Sequence, residues 1–214
     1  PLKWTDPKGD ASKNSTGFKD QGYLPSAVIN LLAFLGWNPG TDKEVYTLDE
    51  LINDFSLERV NKSGARFNPA KAKWFNGQHL KNTDSMLLLN DLKTDLENRG
   101  IHKGDDFLLK VLDANKGKVN FIKDLYDEVK YLFEKPVDFD SKVMKKWTPE
   151  SELLVKGLAE QFKGLHNWFS ADIQRTFEDY VNGNGIKFGD IAPQLRLCLT
   201  GKEPAKSSPS IPTE

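Results

Sequence analysis

Residues 22–40 read GYLPSAVINLLAFLGWNPG. Pro25 suits the first turn of a helix, where a missing N–H costs no hydrogen bond. Val28, Ile29, Leu31, Leu32, Phe34 and Leu35 then cover most of a helical circumference. A helix apolar nearly all round is predicted to sit centrally in a core. Asn38-Pro39-Gly40 reads as the turn that ends the segment. Thr47 with Glu50 three residues later makes a capping box, and Leu48, Leu51, Ile52 and Phe55 follow at helical spacing.

Between Leu57 and Phe67 the chain offers two short strands around Ser63-Gly64, an expected hairpin. Asn68 and Pro69 then open another helix, with Gly77 as its expected C-terminal stop. From Asn82 or Thr83 onward the pattern is helix after helix. One carries Met86, Leu88, Leu89 and Leu92; the next has Asp105 and Asp106 in its first turn, where acidic groups suit the dipole. A third, capped by Asn120, has an apolar stripe of Phe121, Leu125, Tyr126, Val129 and Leu132, and Pro136 ends it. Asp140, Thr148-Pro149 and Ser170 start further helices, and a last one includes Pro193 to Leu199.

The predicted fold is mainly α: a small domain over residues 23–82 with the hairpin, then an all-helical cage over 83–201. Residues 1–22 read as a flexible lead-in, and 202–214, rich in Lys, Pro, Ser and Glu, as a disordered tail. The chain begins at Pro1, which suggests a piece of something longer.

The 214 residues are 38% hydrophobic and 29% charged, the balance of a folded, water-soluble chain. The single cysteine, Cys198, excludes an internal disulfide and a cysteine zinc site, and a reducing cytoplasm fits. No stretch approaches the ~20 apolar residues of a membrane span. Net charge is −1, split into +2 over residues 1–82 and −3 over the rest, so neither part is a basic domain and any nucleic-acid contact rests on local patches.

The strongest patch is VNKSGARFNPAKAKWFNGQHL, residues 60–80, which holds Lys62, Arg66, Lys71 and Lys73 without one Asp or Glu. A phosphate backbone would supply the missing counter-charge; a solvated face is the plain alternative. Helical phase puts Lys71 between Trp74 and Phe75 and Lys73 on the opposite flank, so the cations form no single stripe. Catalytic signals are absent. His79, His102 and His166 stand apart at no metal-ligand or nucleophile spacing and read as surface or satisfied loop histidines, Gly183-Asn184-Gly185 reads as a helix stop, and acidic pairs read as caps. No catalytic residue and no metal site is expected.

At these residues a resemblance enters. GYLPSAVINLLAFLGWNPG, then YTLDELINDFSLERVNKSGARFNPAKAKWFNGQHL, and later FIKDLYDEVKYLF and GIKFGDIAPQLRLCLTG, together resemble the part of bacterial glutamyl-tRNA synthetases that follows the catalytic domain. The resemblance covers roughly residues 20–201. It implies a fragment, a stem-contact domain followed by a helical anticodon-binding domain, that holds tRNA(Glu) while a catalytic domain of the same parent chain joins glutamate to it. The class I signatures H-x-G-H and K-[LM]-S-K-[RS] are absent, so the fragment alone should be inactive. ATP and magnesium are implied for the parent enzyme, no cofactor for the fragment, and a cytoplasmic monomer is expected. The resemblance makes Lys62, Arg66, Lys71 and Lys73 candidate phosphate contacts at the inner bend of the tRNA. It makes Trp74 and Asn76, a W-x-N element, the structural anchor of their helix. Lys116, Lys118, Lys187 and Arg196 become candidates near the anticodon, where lysines cannot form the bidentate fork of arginine. Beyond Gly201 the polar tail departs from the family pattern. A helical scaffold or protein-interaction module without RNA binding is the competing reading.

Overall fold

The computed structural model describes residues 16–61, 67–145 and 147–202, and among them the architecture is helical. The chain divides into two compact units, residues 1–129 and 130–214. The change in composition near Asn82 therefore lies inside the first unit.

The first unit opens with a short helix α1 (Phe18–Gln21), where a flexible lead-in was expected, followed by α2 (Pro25–Gly36), α3 (Leu48–Asp54) and α4 (Pro69–Asn82). Pro25 stands in the first turn of α2 as predicted. Ala27, Asn30 and Leu31 are buried, but Ile29 and Leu32 are exposed, so α2 is covered on only part of its circumference. Its buried face meets Ala72 and Phe75 of α4, with Phe18, Tyr23 and Phe34 packed around them. Phe34 also touches Trp37 and Tyr46, which with Leu51 of α3 form an adjoining core. The capping box holds: Thr47 Oγ1 accepts from the Glu50 N–H at 3.3 Å and Glu50 Oε2 accepts from the Thr47 N–H at 2.9 Å.

The hairpin is not borne out over its first arm. Leu57–Arg59 coils into a single 3-10 turn, and the only strand-like pairing among the described residues is an isolated bridge between Val60 and Trp37. With one bridge there is no ladder to fix a strand, and Leu57 has no buried face to hold it extended. The expected turn at Ser63-Gly64 lies outside the described residues.

Gly77 does not stop α4. It lies buried within the helix, where a Cβ would run into the Asn120 side chain, so it marks a close approach rather than an end. Two antiparallel-style partners follow, α5 (Ser85–Asn98) and α6 (Asp105–Asn115), which bury Leu88, Leu92 and Leu96 with Leu108, Val111 and Leu112. The spacing of Leu88, Leu92 and Leu96 is the i, i+4, i+8 stripe that a helix aligns. The helix expected after Asn120 is broken: a 3-10 turn at Ile122–Asp124 leads into α7 (Leu125–Val129). Asn120 gives it no side-chain cap, and its backbone carbonyl is engaged by Asn76.

The second unit contains α8 (Ser141–Met144), α9 (Pro149–Lys163), α10 (Ser170–Gly183) and α11 (Phe188–Thr200). Thr148 caps α9 by accepting from the Ser151 N–H at 3.2 Å. Leu158, Val181 and Ile191 form the core, with Leu154, Phe162, Phe177 and Leu195 against them. Tyr180 Oη donates to the Leu154 carbonyl at 3.0 Å, and Gly157 leaves room for its ring.

Candidate nucleic-acid interface

Asn68 builds the start of α4 by accepting from the Ala70 and Lys71 N–H groups at 3.0 and 3.2 Å, with Pro69 first in the helix. The helix then presents Lys71 and Lys73 on different sides. Lys71 is half-buried and its ammonium sits 2.5 Å from Glu44 Oε1 and 4.2 Å from the Trp74 ring centre. The stretch that is acid-free in sequence thus borrows a carboxylate from the segment before α3. Lys73 is exposed and has no partner among the described residues. Lys62 and Arg66 lie outside the described residues.

Trp74 and Asn76, the two positions of the W-x-N element, differ in burial. Trp74 is 36% exposed and leans edge-on against buried Phe75 at 5.1 Å, roofed by Lys71. Asn76 is fully buried. Its Oδ1 accepts from the Leu24 N–H at 2.8 Å, at the entry to α2, and its Nδ2 donates to the Asn120 carbonyl at 2.6 Å. One amide side chain therefore ties α4 to two segments 44 and 52 residues away in sequence.

A second buried polar group lies on the same helix. His79, read from sequence as a surface or loop histidine, is buried within α4, and its Nε2 stands 3.0 Å from Asn30 Oδ1. Asn30 Nδ2 donates to the Glu44 carbonyl at 3.1 Å, and the Tyr46 N–H donates to Asn30 Oδ1 at 2.8 Å. That orientation makes Asn30 Oδ1 an acceptor, so His79 carries its proton on Nε2. Burial holds the His79 pKa below its ordinary 6.5. As pH falls through 6.5, the unfolded chain takes up a proton that the folded chain refuses, so stability drops over that window. Glu50, whose pKa is held below 4.5 by Lys43 and the Thr47 N–H, titrates in a separate and more acid range. Urea midpoints should fall between pH 7 and 5.5 in the wild type and be flatter in His79→Gln.

At the C-terminal end of α4, three lysines gather. Lys116 Nζ donates to the Thr83 carbonyl, capping the helix. Lys118 donates to Asn115 Oδ1 at 2.8 Å. Lys81, which sequence reading passed over, lies against Gly117, its Cγ 3.4 Å from where a Cβ would stand. Cations suit this end of the dipole, and an ammonium with three donors keeps two after one bond to protein. Lys81 is legible only through the fold, because thirty-six residues separate it from its neighbour at 117.

In the second unit, Lys187 stands just before α11 and Arg196 is exposed on that helix. Nine positions at about 100° each place them about half a turn out of phase, so α11 does not bring them onto one stripe. Neither side chain has a partner among the described residues. His102 and His166 are exposed, and among the described residues no cluster of His, Cys, Asp or Glu could hold a metal ion. No helix among them is long and apolar enough to cross a membrane.

The family model described as anticodon binding domain matches residues 74–212, and that of the class I tRNA synthetase (E and Q) catalytic domain matches residues 7–74. A glutamate–tRNA ligase of Christiangramia forsetii is 37% identical over 203 residues, and one of Porphyromonas gingivalis is 36% identical over 204; each match takes in 94% of this chain and 40% of the relative. The crystal structure of a glutamate tRNA ligase from Elizabethkingia meningosepticum, in complex with its amino acid, superposes with a TM-score of 0.84 at 36% identity, over 95% of this chain and 41% of that one. The glutamate-tRNA synthetase of Elizabethkingia anophelis gives a TM-score of 0.80 at 34% identity, over 94% and 39%. The chain spans about two-fifths of the relatives it matches. It belongs to the anticodon-binding domain family and corresponds to the C-terminal part of bacterial glutamate–tRNA ligases, with residues 7–74 reaching back into the class I catalytic-domain match.

Proposed function

We propose that this chain is the tRNA-holding part of a glutamate–tRNA ligase. It grips tRNA(Glu) through phosphate contacts and through the anticodon, while the larger remaining part of the parent enzyme joins glutamate to the tRNA with ATP and magnesium. The anticodon-binding family match carries this reading, and it disfavours a scaffold without RNA binding. The chain's own residues bind and orient; none is assigned to chemistry.

Within this reading the described cations have unequal roles. Lys73, Lys187 and Arg196 are free to meet RNA, whereas Lys71 must share its charge with Glu44 and Lys116 holds a helix end. Lys73→Ala should therefore weaken tRNA binding more than Lys71→Ala in the same titration. Lys81, Lys116 and Lys118 are assigned to phosphates. Arg196 is assigned to an unstacked anticodon base, on which a planar guanidinium can stack or hydrogen-bond. Arg196→Ala is expected to weaken an anticodon stem-loop about tenfold while leaving an acceptor-arm minihelix nearly unchanged, an effect the size of one stacked base. Equal losses on both RNAs would refute that assignment.

A further inference from the structure

Helix α3 buries one residue, Leu51, and leaves Leu48 and Ile52 exposed; Phe55, its C-cap, lays part of its ring against buried Trp37, 5.9 Å between ring centres, and leaves the rest open. Leu48 is 53% exposed, Ile52 66% and Phe55 51%; just beyond, Leu57 is 77% exposed. The first three stand at i, i+4 and i+7, one face of a helix, so the exposure is a strip rather than scattered single residues. An uncovered strip of this kind marks an interaction face.

We propose that this strip docks against the larger part of a class I synthetase catalytic domain, an inference that rests on the reading of the chain as part of a glutamate–tRNA ligase. Three observations choose that occupant. The strip falls wholly within residues 7–74, the segment that matches the catalytic-domain model, so its natural neighbours are the rest of that domain. More than half of each relative's length lies outside the matched region, enough chain to supply them. Asp49, Asp54 and Glu58, all exposed, flank the strip and repel a phosphate backbone, which sets it apart from the RNA-facing cations. The same covering would account for α2, whose apolar circumference is left partly open at Ile29 and Leu32.

The test places this 214-residue chain in its full-length setting by exchanging it for the matched 41% of the Elizabethkingia meningosepticum ligase. Hydrogen exchange over residues 48–57 should be slower in the chimera than in the isolated chain. Ile52→Glu should lower the Tm of the chimera by about 5 °C or more and leave that of the isolated chain nearly unchanged, since the side chain is already in water there. Ile52→Gln, a milder change, keeps the comparison readable if the Glu variant of the chimera does not fold. Equal protection and equal Tm shifts in the two settings would overturn the proposal. So would a dimer of the isolated chain, seen by sedimentation, that Ile52→Glu dissolves, because a second copy would then be the occupant. A tenfold loss of tRNA affinity in Ile52→Glu would also overturn it by making the strip an RNA surface. Absence of tRNA binding by the wild-type chain, with the chimera behaving as expected, would instead defeat the functional reading and spare the docking face.

Discussion

Asn76→Ala is expected to destabilise the first unit by about 1–3 kcal/mol, because it removes the partners of two backbone groups at once. The Leu24 N–H loses its acceptor at the entry to α2, and the Asn120 carbonyl loses its donor where the chain turns toward α7. A buried group left without its partner costs about 1–3 kcal/mol; the Asn76 side chain is fully buried, but Leu24 is half-buried and Asn120 exposed, so water can replace part of what is lost and each loss falls toward the lower end of that range. Asn76→Asp separates the two halves. A carboxylate can still accept from Leu24 but cannot donate to Asn120, and its charge would be buried with no cation against it. Urea unfolding followed by far-UV circular dichroism reads both variants. A midpoint shift worth less than about 1 kcal/mol for Asn76→Ala would show that neighbouring packing, and not this amide, positions α4. The consequence for function is direct: α4 carries Lys73 and Lys81, so a loosened α4 should also bind RNA more weakly.

An element is legible in the sequence where the residues that set it lie close together along the chain. Thr47 and Glu50, Asn68 and Pro69, and Thr148 and Pro149 mark helix starts through neighbours three residues apart or fewer. The mainly helical fold follows from those starts and from stripes such as Leu88, Leu92 and Leu96. The sequence misleads where a distant partner decides the outcome. Gly77 has the look of a helix stop, but it lies inside the helix, where an added Cβ would displace the Asn120 side chain. His79 looks like an isolated surface histidine until Asn30 meets it from 49 residues away. Lys71 looks unpaired until Glu44 arrives from 27 residues away. The cations could be found by composition, but which were free and which were spoken for depended on tertiary pairing.

The α2 segment is a different kind of case. Its all-round apolar pattern predicts burial all round, yet of its six large apolar residues only Leu31 is buried, and Ile29 and Leu32 are open in this chain. The covering proposed for the α3 face would bring pattern and exposure into agreement.

The second large expected effect is the dependence of tRNA affinity on salt. Each phosphate neutralised releases condensed counterions, so log affinity falls by about 0.7–0.9 per contact per decade of salt. With about four phosphate contacts, raising salt from ~50 to ~200 mM should weaken binding roughly 50- to 150-fold. Removing Lys73 should lower the slope by about one contact, whereas Lys71→Ala should lower it less because Glu44 already neutralises that ammonium. The most direct measurement is a titration of tRNA(Glu) and of a noncognate tRNA into the wild-type chain at those two salt concentrations. The expected result is a steep fall for both RNAs with tRNA(Glu) bound more tightly at each salt; affinity unmoved by salt, or equal affinity for tRNA(Glu) and the noncognate tRNA, would contradict it.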